Sequence, residues 1–109
     1  MSHAELLEIS SASSGGVLRI AVTGEIDVPA EKQFVEQVEA SIGATEAERI
    51  VLDLTGVEFI DSSGLRMLLR CRRQAEARGV LLTLIPGVSV ARLIDVAGVR
   101  ARFAYETAD

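Results

Sequence analysis

Arg49 to Leu54 is a nearly continuous apolar run of strand length (Arg-Ile-Val-Leu-Asp-Leu), the pattern of a central strand covered on both faces. A few residues later the apolar pair Phe59 and Ile60 stops on Asp61, Ser62, Ser63 and Gly64, and a helical repeat begins. This junction is a strand end turning into a helix. Asp and Ser at such a place can accept hydrogen bonds from first-turn amides that have no partner within the helix, and Gly64 keeps side-chain bulk away from whatever approaches. A phosphate on either hydroxyl would face those amides and the positive end of the helix dipole, an interaction worth about 0.3–1 kcal/mol. Ser62 is therefore a candidate phosphorylation site, and a simple N-cap is the competing reading of the same serine.

The remaining chain supplies neighbours for the central strand. A short strand is expected around Leu6 to Ile9, followed by a Ser/Gly turn from Ser10 to Gly16. From Val17 to Ile26, Leu18, Ile20 and Val22 alternate with Arg19, Ala21 and Thr23, giving a second strand and a hairpin. Pro29 and Glu31 suit the first turn of a helix that reaches about Ser41, with Val35, Val38 and Ile42 on its buried side. Beyond the junction, Leu65, Leu68, Cys71 and Ala75 repeat at helical spacing from about Ser63 to Arg78, and Gly79 ends the helix. Val80 to Ile85 is a further buried strand. Ser89 is placed to cap a short helix whose Val90, Leu93 and Ile94 face the sheet, and Ala101, Phe103 and Tyr105 alternate as a last edge strand. Strands alternating with helices imply an α/β fold with a mixed, mostly parallel sheet, an N-terminal antiparallel hairpin and three to four helices packed on it.

The 109 residues, 49% hydrophobic and 25% charged, predict one globular domain over 1–109 with a core that needs no disulfide or metal. No internal repeat, linker or low-complexity tail interrupts it. No apolar run is long enough to span a bilayer, and the start (Met1, Ser2, His3, Ala4, Glu5) lacks the basic residues of a signal peptide. A cytoplasmic protein without membrane insertion is expected, in agreement with the lone Cys71, read as a buried structural thiol. The charge is uneven: twelve acids against three bases through Asp61, and eight bases against four acids from Ser62 onward. So acidic a domain is a poor nucleic-acid binder, and its polarity suits a protein partner.

Catalytic readings fail on residue supply. A serine hydrolase needs a base, and the single histidine is His3, near the N-terminus. A phospho-aspartate receiver would gather Asp27, Asp53 and Asp61 around Mg²⁺, yet the only lysine, Lys32, belongs to the first helix; Asp53 reads otherwise as a structural carboxylate. No glycine-rich phosphate loop marks a nucleotide site. Neither metal nor cofactor is expected. Arg66, Arg70 and Arg73 share one helix face, which reads as a solvated face or as a docking stripe for an acidic partner.

Asp61, Ser62, Ser63, Gly64 and Leu65 between a strand and a helix, together with Gly24, Glu25, Ile26 and Asp27 at an earlier strand end, resemble the STAS domain of bacterial anti-sigma factor antagonists. The likeness covers about Leu6 to Ala104. It implies a partner switch: the unmodified domain binds an anti-sigma factor that is also a serine kinase, phosphorylation breaks the complex, and a PP2C-type phosphatase reverses it. By position the modified residue is Ser62, Asp27 supports binding or phosphoryl transfer, and Asp61 shapes the turn. Ser63, Gly64, Leu65 and Arg66 complete the surroundings. Arg66 stands where the family often has a small residue, and side-chain chemistry alone does not separate Ser62 from Ser63. Related domains serve in stress-signalling assemblies and as subunits of lipid ABC transporters, which are the alternative readings.

Overall fold

The computed structural model describes residues 7–107. Strands β1 (Leu7–Ser14) and β2 (Val17–Ile26) pair antiparallel, and β3 (Arg49–Ile60), β4 (Leu81–Ile85) and β5 (Ala104–Tyr105) follow in parallel. Spatial order equals chain order across the sheet. Three helical segments make the crossovers. The first, α1 (28–44), is continuous but mixed: a 3₁₀ turn Val28–Ala30, an α turn Glu31–Phe34, a π turn Val35–Glu39 and an α turn Ala40–Ala44. The second, α2, is Ser62–Ala77 and the third, α3, is Gly87–Ala97.

Crossovers of one hand that step the same way across a sheet put their helices on one face. Accordingly Ile20, Val22, Ile50, Leu52, Leu54 and Leu84 from the strands join Phe34, Val38, Ile42, Leu68, Cys71, Val90 and Ile94 from the helices in one buried cluster. The expected apolar cover on both faces of β3 is therefore half right. The opposite face is polar: Arg19 pairs with Asp53 at 3.4 Å, Arg49 with Glu106 at 2.9 Å, and Thr83 Oγ1 donates to Glu106 at 2.6 Å. Val51 is buried there between its register partners Arg19 and Thr83, outside the main cluster.

Several element expectations shift. Leu6 lies outside the described residues, and β1 runs on through the serines, leaving only Gly15 and Gly16 (φ 58° and 81°) for a two-residue turn. In α1 the buried positions are Phe34, Val38 and Ile42, while Val35 is at the surface, because the π turn changes the helical phase where Val35 sits. Ser89 does not cap α3; its hydroxyl reaches back to the Glu58 carbonyl at 3.2 Å. The last edge strand shrinks to two residues because Arg100–Arg102 form a 3₁₀ turn, closed by Tyr105 Oη on the Arg100 carbonyl at 2.7 Å.

What positions the junction is the length of β3. It extends to Ile60, well past the expected end at Leu54, and carries two more residues than β2 over the paired stretch, with register shifts after Ala21 and after Gly24. The two strands still finish level, Ile26 against Ile60. Asp27 and Asp61 therefore leave the sheet on adjacent strands.

Candidate functional site

Asp61, and not Ser62, caps α2. Its backbone is extended (φ −115°, ψ −172°), and its Oδ1 accepts the Gly64 N–H at 3.0 Å and the Ser63 hydroxyl at 2.6 Å. The Ser63 hydroxyl, followed by the amides of Gly64 and Ser63, holds the Asp61 carboxyl below its ordinary value of 3.8. Ser62 is the first helical residue and is exposed, and its hydroxyl makes no hydrogen bond among the described residues. The two serines are thus distinct in structure: Ser63 belongs to the cap, and Ser62 is available.

Gly64 and Leu65 are buried. A Cβ on Gly64 would run into the Ile26 carbonyl oxygen and the Ile26 and Ile60 side chains, so the glycine exists for the close approach of α2 to the ends of β2 and β3, not for an incoming molecule. Asp27 is half-buried; it opens the 3₁₀ turn of α1, yet its side chain makes no capping bond.

The arginine face divides. Arg70 reaches Glu39 at 2.7 Å and Glu31 at 3.4 Å, and Gln74 and Arg78 continue the seam by donating to the carbonyls of Glu39, Ile42 and Thr45. These residues fasten α2 to α1, and the π turn is part of what they hold. Arg66 and Arg73 are exposed and pair with nothing among the described residues, so neither a uniform solvated face nor a three-arginine stripe describes them. Asp53 is turned to the polar face of the sheet. Burial pushes its carboxyl up, but hydrogen bonds from Thr55 and the charge of Arg19 outweigh that and hold it below 3.8. Cys71 is buried in the core, and burial raises its thiol far above the reactive range.

One feature absent from the sequence reading lies beside the junction. Glu58, Phe59, Ile60, Ser89, Arg92, Leu93 and Val96 line a groove of about 300 Å³ between the end of β3 and α3. Phe59 (48% exposed) and Val96 (79%) present apolar surface there. The signal in the sequence is the pair Val88 and Val96, exposed apolar residues of α3 that the sheet-facing set of Val90, Leu93 and Ile94 does not account for.

A mixed five-stranded sheet with its helices on one face, and a helix capped by the aspartate of Asp-Ser-Ser-Gly-Leu, define the class. The chain belongs to the STAS domain family, whose model matches residues 8–108. Among individual relatives, the anti-sigma F factor antagonist of Paenibacillus polymyxa is 31% identical over 93 residues, spanning 84% of this chain and 80% of that protein. The crystal structure of an anti-sigma factor antagonist from Mycobacterium paratuberculosis superposes with a TM-score of 0.78 at 25% identity, over 99% of this chain and 92% of that one. The phosphorylated form of the Bacillus cell-fate determinant SpoIIAA shares the fold (TM-score 0.63, 20% identity, 93% and 91% covered). No helix among the described residues is long and apolar enough to cross a membrane.

The cap gives a pH signature. Asp61→Ala is expected to lose about 1 kcal/mol of stability at pH 7. A carboxyl whose folded pKa is depressed contributes fully above its unfolded value and loses that contribution as pH falls through the folded one. Urea unfolding from pH 7 to pH 2 should therefore show a constant gap between wild type and variant down to about 4, then a narrowing gap below 3.8. A gap that stays constant to pH 2 would mean the carboxylate charge plays no part in the cap.

Proposed function

We propose that this STAS domain is an anti-sigma factor antagonist whose surface around Ser62 binds an anti-sigma factor with serine kinase activity and so releases a sigma factor. Phosphorylation of Ser62 ends that binding, and a PP2C-type phosphatase restores it. The domain acts by binding and performs no catalysis of its own. The observation that carries this reading is the exposed Ser62 hydroxyl, unbonded among the described residues, on the first turn of a helix whose cap already engages Ser63. The Paenibacillus and Mycobacterium relatives support the antagonist role, and the phosphorylated SpoIIAA supports a phosphate on this fold.

The chemistry follows from charge and position. Phosphate adds about −1.5 to −2 charge at neutral pH to a surface that already holds Asp61 and, on the neighbouring strand end, Asp27. Bulk and like charge within a packed contact expel a partner without refolding the domain. Asp27, with its unused carboxylate, and the adjoining Phe59 groove extend the docking surface.

The test is intact-mass and site-localised phosphopeptide analysis after incubation with ATP, Mg²⁺ and candidate anti-sigma kinases, with Ser62→Ala and Ser63→Ala alongside. One phosphate lost only in Ser62→Ala is the expected result, and the modified protein should bind its anti-sigma factor on the order of 100-fold more weakly. Binding without modification by any kinase would mean a constitutive antagonist. Neither binding nor modification would overturn the antagonist reading and favour a stress-signalling assembly or a lipid ABC transporter.

A further inference from the structure

Taking Ser62 as the modified residue, as proposed above, we infer that Arg66 is the receptor for its phosphate, clamping it along the outer face of α2. Ser62 and Arg66 lie four residues apart in one α-helix, which brings their Cβ atoms to about 5–6 Å on the same face. Both side chains are exposed. An anion N-terminal to a cation at this spacing is the favourable orientation, and the planar guanidinium fork matches two phosphate oxygens.

The other cations of α2 do not compete. Arg70 is held by Glu31 and Glu39, Arg72 by Glu76 at 3.1 Å, and Arg78 by two carbonyls of the α1 end. Arg73 is unpaired among the described residues but lies eleven residues from Ser62, about 16 Å along the axis. Among the described residues Arg66 alone combines reach with the lack of a carboxylate partner. The acids around Ser62 lean the same way. Asp61, turned onto Ser63 and Gly64, and Asp27, on the neighbouring strand end, set negative charge on the sheet side of Ser62, so a phosphate is drawn away from them along the helix.

Pairing with Arg66 favours the phosphate dianion and therefore lowers its second ionisation. The test uses the full chain with phosphoserine placed at 62 during translation, so that no kinase is needed, and follows the ³¹P resonance from pH 4 to pH 8. Arg66→Gln should raise the phosphate pKa by about 0.2–0.7 of a pH unit, Arg66→Lys should restore most of the difference, and Arg73→Gln should leave it unchanged. The Arg66 effect should fade in 1 M NaCl. An unchanged titration in Arg66→Gln, or an equal shift in Arg73→Gln, would overturn the pairing. Failure of every kinase to modify Ser62 would instead strike the proposed function and leave this titration readable.

Discussion

Gly64→Ala is expected to destabilise the domain by about 2–3 kcal/mol and to lower its melting midpoint by roughly 10 °C, measured by calorimetry or circular dichroism. Helix propensity alone predicts the opposite sign, since alanine gains about 1 kcal/mol over glycine inside a helix. Packing decides. The added methyl would strike the Ile26 carbonyl oxygen and come within 2.8 Å of Ile60 Cγ1 and 2.9 Å of Ile26 Cγ2. None of these can easily retreat. Ile26 and Ile60 are register partners at the ends of two core strands, and both side chains are buried. Sliding α2 outward would stretch the Gly64 amide from Asp61 Oδ1 and the Leu65 amide from the Asp61 carbonyl, both now at 3.0 Å. A variant as stable as wild type would show that α2 does not rest on the strand ends this closely, and the presentation of Ser62 would lose its rigid base.

The sequence carried the part of this architecture that depends on local period. The alternation of Leu18, Ile20 and Val22 and the spacing of Leu65, Leu68, Cys71 and Ala75 each report a face, and those faces are buried as read. The junction was legible for the same reason, because a cap acts within four residues. What stayed hidden depends on partners distant in the chain or on a change of period. The second half of β3, Thr55 to Ile60, breaks alternation because extra residues bulge out of register with β2. Val35 is at the surface although its spacing to Val38 fits a helix face, because apolar spacing does not distinguish a π turn from an α turn. Arg66, Arg70 and Arg73 look alike in sequence; only the folding of Glu31 and Glu39 against α2 separates the fastened arginine from the free ones. Ser62 and Ser63 are alike in sequence, and what separates them is the Asp61 side chain, which takes the hydroxyl of Ser63. The cap residue itself was legible only as one of three candidates.

Gly87→Ala should cost about 2–4 kcal/mol, with Gly98→Ala as its control at about 1 kcal/mol. Both glycines have positive φ, 69° and 74°, so both substitutions carry backbone strain. They differ in surroundings: a Cβ on Gly98 meets open space, whereas one on Gly87 would lie 2.8 Å from Thr55 Cα and 2.9 Å from the Leu54 carbonyl oxygen. The crowding comes from the topology. β4 ends at Ile85 opposite Asp53, while β3 continues to Ile60, so the chain must turn at Pro86 and Gly87 and lay α3 along the uncovered part of β3. Moving Gly87 away from Thr55 would lift Val90 and Ile94 from the core and pull Ser89 from the Glu58 carbonyl. Because Phe59 and Ile60 form the other wall of the groove beside α3, hydrogen exchange in Gly87→Ala should rise first in α3 and then at the β3 end. Equal losses in the two glycine variants would assign the whole cost to backbone strain and remove the close contact between α3 and β3 as the support for the Ser62 junction.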